Sequence, residues 1–143
     1  MTDLHRDQAS PSRAEAAFAF LRELGFRLGD PWVSGGTSFR DGWRLKYSAP
    51  ALTVTVQYLD QEFQVLFSRA GVQVDYLFID RELFGRRSGF HGNMFPPQKV
   101  GHAIDHQAGD IREHFGSILL GEEDVWTDII RLLNAPKFGT RLP

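Results

Sequence analysis

The chain has 143 residues, no cysteine and a formal net charge of −2, with 42% hydrophobic and 24% charged residues. This length predicts one domain with its own core, and the absence of cysteine excludes disulfides, iron–sulfur clusters and thiol nucleophiles. The balanced charge argues against nucleic-acid binding, and no apolar run is long enough for a membrane helix. The polar start of the chain is unlike a signal peptide. We therefore expect a cytoplasmic protein with neither nucleic acid nor membrane as a partner.

The N-terminal part is predicted to be a flexible arm, residues 1–10, followed by a helix over residues 11–24. Either Ser10 or Ser12 can cap this helix by accepting hydrogen bonds from its first backbone N–H groups. Apolar residues recur on one helical face, as expected of a helix that packs on a sheet. Gly25 is a typical residue for its end.

Two short apolar segments follow this helix, at residues 26–28 and 32–33, with Gly29-Asp30-Pro31 between them. We interpret both as candidates for short strands. The second would pair with the next strand across the glycine-containing turn at residues 34–37.

The most regular stretch of the sequence is residues 43–79, where apolar and polar side chains alternate. That period is typical of strands with one buried and one wetter face. Short turns separate the segments and predict antiparallel neighbours. The four predicted strands are residues 43–47, 52–58, 63–68 and 72–79. The wetter face is expected to be solvated and to lack aromatic residues; it carries Arg44, Lys46, Thr53, Thr55, Gln57, Gln64 and Gln73.

Helical periodicity returns over residues 99–115 and 122–133, and residues 137–143 are predicted to be a tail. The predicted fold is a single α+β domain over residues 11–136. It consists of an N-terminal helix, an antiparallel β-meander of four to five strands, and two C-terminal helices packed on one face of the sheet.

An irregular segment, residues 81–98, separates the meander from these helices and is rich in glycine, phenylalanine and proline. Loops of this length are uncommon in compact domains and are usually functional or disordered. Two guanidinium groups beside an aromatic ring can hold a carboxylate, a phosphate or an acidic protein partner. The candidate partner-binding residues are Arg86, Arg87, Phe90 and His91. The alternative is a mobile loop whose aromatic rings cover the core.

Four polar residues with a spacing of four, His102, His106, Asp110 and His114, form the other candidate cluster. Two histidines at this spacing can chelate a metal, but each step of four rotates the side chain by about 40° around a helix. Because the apolar stripe lies opposite the histidines, they are expected to face solvent. No metal and no other cofactor is therefore predicted. The alternative is a metal site at His102, His106 and Asp110.

Known catalytic and nucleotide-binding motifs are absent: the sequence contains no GxGxxG, GxxxxGK[ST] or GxSxG segment. The chain is accordingly predicted not to be an enzyme. The alternative is a small-molecule or metal-dependent enzyme that uses His91 or the pair His102 and His106. A homodimeric structural module that pairs through an open sheet edge is a further alternative.

The order of the parts resembles a known family. The helix end at Leu21–Phe26, the strand pair at Tyr47–Tyr58 and the closing segment at Leu119–Leu132 are similar to those of small bacterial immunity-type proteins from polymorphic or contact-dependent toxin systems. The resemblance covers most of residues 14–134 and rests on core positions. It implies a protein that binds a cognate toxin and occludes the toxin's active site without catalysis of its own. Residues 81–98 depart from the family's pattern, which leaves the binding surface open.

Overall fold

The computed structural model describes residues 10–33, 42–85 and 92–135. The predicted tail and all but Ser10 of the predicted arm lie outside these residues, as does the turn predicted at residues 34–37. The described elements, in chain order, are α1 (Pro11–Ala17), α2 (Phe20–Glu23), β1 (Arg27–Leu28), β2 (Trp32–Val33), β3 (Gly42–Ser48), β4 (Thr53–Leu59), β5 (Glu62–Arg69), β6 (Val72–Asp75), α3 (Tyr76–Phe78), a π-helical turn (Ile79–Leu83), α4 (Pro97–His114), α5 (Gly116–Leu119) and α6 (Glu123–Asn134).

The strands form one antiparallel sheet in the order β1–β3–β4–β5–β6, with β2 also paired to β3. The predicted α+β class and meander are confirmed. Gly42 begins β3 beside β4, and a Cβ atom there would stand 2.1 Å from the Tyr58 carbonyl oxygen. Only glycine therefore allows the start of β3 to lie this close to the end of β4.

The strands β1 and β2 are two parts of one interrupted edge strand. Leu28 pairs with Tyr47, and Trp32 pairs with Arg44. Four residue steps on the edge strand thus match three steps on β3, which is the spacing of a β-bulge. The extra residue lies within Gly29-Asp30-Pro31, which separates β1 from β2 as the sequence predicts.

One face of the sheet is buried against the helices, as the alternation predicts. The aromatic ring of Phe115 lies at the centre of this layer, with ring centroids 5.5 Å from Phe67, 5.6 Å from Tyr76 and 5.3 Å from Phe84. Offset and edge-on ring pairs at these distances add to the burial energy. The sheet contributes ten buried side chains to the core: Trp43, Leu45, Tyr47, Val54, Val56, Tyr58, Phe63, Val65, Phe67 and Val74.

Ser10 and Gly25 follow the capping rules at the two ends of the N-terminal helical segment. The backbone N–H of Arg13 donates to Ser10 Oγ at 3.3 Å, which identifies Ser10 as the first cap. Gly25 follows α2 with a φ of 100°, a conformation that glycine adopts without strain. The long helix α4 begins at Pro97, two residues before its predicted start. No described helix has both the length and the apolar character needed to cross a membrane.

The strand predicted over residues 72–79 is wrong in its second half. The strand β6 ends at Asp75, whose Oδ1 accepts a hydrogen bond from the Phe78 N–H at 3.0 Å and starts α3. The π-helical turn follows, with Phe84 N–H donating to the Ile79 carbonyl. Apolar side chains on both faces of this segment were interpreted as a doubly covered strand, but a capped helical turn also buries consecutive apolar residues.

Candidate binding surface

The second face of the sheet carries no buried residue in the described part of the chain. We call this face the uncovered face; its residues are Arg27 and Trp32 at the edge, Arg44, Lys46 and Ser48 on β3, Thr53, Thr55, Gln57 and Leu59 on β4, Glu62, Gln64, Leu66 and Ser68 on β5, and Gln73 and Asp75 on β6. Each side chain stands beside its paired residue on the next strand, because paired residues share a face.

A row of hydrogen bonds crosses the middle of the uncovered face. Arg44 Nε donates to Gln57 Oε1 at 2.9 Å, and Gln57 Nε2 donates to Gln64 Oε1 at 3.0 Å. The three residues are direct partners in the strand register. Mutual hydrogen bonds hold long side chains in one arrangement, which reduces the entropy that a partner must remove on binding.

Trp32 extends this row onto the edge strand. The Arg44 Cζ atom lies 5.4 Å from the centroid of the Trp32 ring, and Trp32 keeps 47% of its surface exposed. Such a cation–π contact at an exposed site contributes about 0.5–1 kcal/mol. The expectation that this face lacks an aromatic residue is therefore wrong. Sequence reasoning missed Trp32 because a two-residue strand shows no alternation, and only its pairing with Arg44 reveals which face it occupies.

Charge is sorted across the uncovered face. The cations Arg27, Arg44 and Lys46 lie on the edge strand and β3, whereas the acids Glu62 and Asp75 lie on β5 and β6. The β4 column between them is uncharged. One half of the face therefore presents positive charge and the other half negative charge, although the whole chain is close to neutral.

The far edge of the sheet is closed by the end of the irregular segment. The N–H of Phe63 donates to the Asn93 carbonyl, and the N–H of Phe95 donates to the Gln61 carbonyl, both at 2.8 Å. Tyr58 Oη donates to the Phe95 carbonyl at 2.7 Å, and burial raises the pKa of Tyr58 to about 12. Residues 93–95 thus complete the pairing of β5, next to the shorter β6.

The four residues predicted to bind a partner, Arg86, Arg87, Phe90 and His91, lie outside the described residues. Their role stays a prediction.

The histidine cluster is not brought together as a metal site. His102 and His106 are exposed on α4, with ring centroids 6.3 Å apart. Asp110 is turned toward the core, where its Oδ2 accepts a hydrogen bond from Tyr76 Oη at 2.7 Å, and His114 Nε2 lies 3.9 Å from its Oδ1. Across the described residues, no three His, Asp or Glu side chains are placed to share a metal ion. The rotation of about 40° per step of four residues explains this separation.

Comparison of the chain with protein-family models, with curated proteins and with solved structures finds no match.

Proposed function

We propose that this chain is a non-enzymatic binding protein that acts in the cytoplasm and neutralises a cognate protein toxin by direct binding. The observation that carries the proposal is the uncovered face, where Trp32, Arg44 and the two glutamines Gln57 and Gln64 form one connected row on a rigid sheet. Tryptophan and arginine are the residues most enriched at the energetic centres of protein interfaces.

The construction of the sheet supports this function. A binding protein must keep its surface in one conformation, and the strands beneath this face are held by full registers on both sides of β4. The apolar side of the same strands is used for the core, so the surface and the scaffold are the two faces of one sheet. A ligand-free surface of this kind needs little reorganisation when a partner docks.

The test is co-expression of the full chain with the toxin domain encoded beside its gene. We expect growth to be restored and the two proteins to purify as one complex. Trp32→Ala should weaken the complex by about tenfold or more, as truncation of an interface tryptophan usually does. Leu120→Ala is the matched control, because Leu120 is 69% exposed and lies in the helical layer. The proposal would be refuted if the wild-type chain gave no protection and formed no complex with the toxin domain.

A further inference from the structure

The positive half of the uncovered face has a regular spacing. Arg44 and Lys46 are two residues apart on β3, and Arg27 stands beside Ser48, two residues further along the same strand. Alternate residues of a strand are separated by about 7 Å. We call Arg27, Trp32, Arg44 and Lys46 the basic corner. The nearest acid in sequence is Asp30, which is exposed in the bulge of the edge strand.

Each member of the basic corner has a distinct means of holding a partner. Arg44 uses its Nε toward Gln57, and its two Nη groups keep the fork geometry that matches a carboxylate. Lys46 carries an exposed ammonium group two residues along β3, and Arg27 carries a second exposed guanidinium beside Ser48. Trp32 offers an exposed ring whose orientation is held by the guanidinium above it.

We propose that the basic corner docks an extended acidic segment of a partner protein, with carboxylates at alternate residues paired to Arg44 and Lys46 and an apolar side chain laid on Trp32. An extended chain repeats its side chains at the same spacing as β3, so its carboxylates meet the cations in register. The inference rests on the proposed function, since it specifies which chemistry the partner presents.

A protein segment fits the surface better than a nucleic acid. Single-stranded nucleic acids are held by several stacking aromatics inside a continuous positive groove. Here one aromatic residue is exposed on the uncovered face, and Glu62 and Asp75 oppose a phosphate chain on the far half of the same face. A second copy that paired its own uncovered face with this one would have to use that far half, where Asp75 is already engaged by the Phe78 N–H and by Asn93 Nδ2.

Tryptophan fluorescence of the full chain provides the test. Trp43 and Trp126 are 3% and 1% exposed, so a change caused by a surface ligand reports on Trp32. The probes are a peptide of alternating glutamate and serine that ends in leucine, a peptide of alternating lysine and serine that ends in leucine, and oligo(dT). We expect saturable binding of the acidic peptide only, weakened about tenfold by Lys46→Glu and lost at high salt. The matched control is Arg112→Glu, the same type of charge reversal at an exposed position of α4.

Three results would overturn the inference. The first is an unchanged emission with the acidic peptide. The second is binding of oligo(dT) as tight as that of the acidic peptide. The third is a change in emission with protein concentration alone, which would indicate a second copy on this face.

Measuring toxin binding by the Lys46→Glu variant distinguishes failure of this inference from failure of the proposed function. If Lys46→Glu leaves that complex intact, the chain still neutralises a toxin but uses another surface. If no toxin complex forms while the peptide result holds, the basic corner binds acidic segments of a different kind of partner.

Discussion

Gln107 is a fully buried amide in an otherwise apolar part of α4. It lies between Ile104 and Ile111 in the helix, it is 0% exposed, and neither its Oε1 nor its Nε2 makes a hydrogen bond within the described residues. A buried polar group without a partner costs roughly 1–3 kcal/mol. Within the described residues, no hydrogen bond offsets this cost.

Replacing this amide with an apolar side chain of similar size should stabilise the protein. We expect Gln107→Met to raise the free energy of unfolding by about 1 kcal/mol or more, because methionine fills the same volume without unmet hydrogen bonds. Denaturant unfolding monitored by circular dichroism measures the change. Gln98→Met, at an exposed position of the same helix, should change the stability by less than about 0.5 kcal/mol. If Gln107→Met lowered the free energy of unfolding instead, the Gln107 amide would be stabilising the fold and the prediction would be wrong.

Two buried tyrosines make the stability sensitive to alkaline pH. Burial raises the pKa of Tyr47 to about 12, with the Glu15 carboxylate adding to the rise, and burial alone raises the pKa of Tyr58 to about 12. In the unfolded chain a tyrosine ionises near pH 10. The unfolded state therefore loses its protons first, so this stability is fully present below about pH 10 and is lost as the pH rises through 12.

The expected outcome is a marked fall in the free energy of unfolding between pH 10 and 12. A spectrophotometric titration of the folded protein should show the two phenols ionising near pH 12. Tyr58→Phe should flatten the pH dependence of stability, because it removes one of the groups responsible. A folded-state titration with all three tyrosines near pH 10 would contradict this prediction.

At the scale of elements, the turn between β5 and β6 contains a conformation that its sequence does not favour. Ala70 has a φ of 52° and Gly71 a φ of 82°, so both central residues of this two-residue hairpin turn are left-handed. Such turns favour asparagine, aspartate or glycine, and a Cβ atom in this region costs about 1 kcal/mol.

Ala70→Gly should therefore stabilise the hairpin by a few tenths of a kcal/mol to about 1 kcal/mol. The same change at Ala16, an exposed residue of α1, should destabilise the protein by about 0.5–1 kcal/mol, because glycine is a poor helix former. Thermal unfolding of the two variants provides the comparison. If both substitutions changed the stability in the same direction, backbone strain at Ala70 would not explain the effect of Ala70→Gly.

An element can be predicted from the sequence to the extent that its own residues, rather than a cap or a pairing partner, determine its conformation. The strands β3, β4 and β5 could be predicted because their buried faces repeat every second residue over seven or eight residues. Residues 76–79 could not, because a cap at Asp75 decides between strand and helix, and both structures bury the same apolar side chains. The position of Trp32 on the uncovered face depends on a bulge three residues wide, which leaves no periodic signal.

At the scale of the whole molecule, one edge of the sheet and part of the other are protected against pairing with another chain. The bulge at Gly29-Asp30-Pro31 interrupts the first edge, and Pro31 has no N–H to donate there. Backbone hydrogen bonds from residues 93–95 occupy the first half of the other edge. A homodimer that pairs through β1–β2 or through the first half of β5 would have to displace one of these features, which leaves the four residues of β6 as the remaining edge among the described residues.

We therefore expect the isolated chain to be a monomer. Light scattering after size exclusion should give a mass close to 16.2 kDa that does not depend on concentration. Pro31→Val restores a backbone donor at the interrupted edge and should increase self-association. A stable dimer of the wild-type chain would contradict this prediction.

The sorting of charge on the uncovered face also has a kinetic consequence. Within about one Debye length, near 10 Å at moderate salt, an acidic molecule is attracted by the basic corner and repelled by the acidic half of the face. The outcome of an encounter with an acidic molecule therefore depends on which half of the face it meets first. Encounters at the acidic half are expected to separate, whereas encounters at the basic half are expected to proceed to contact. Added salt screens both halves of the face, so we expect it to slow productive encounters and to weaken this preference for one orientation.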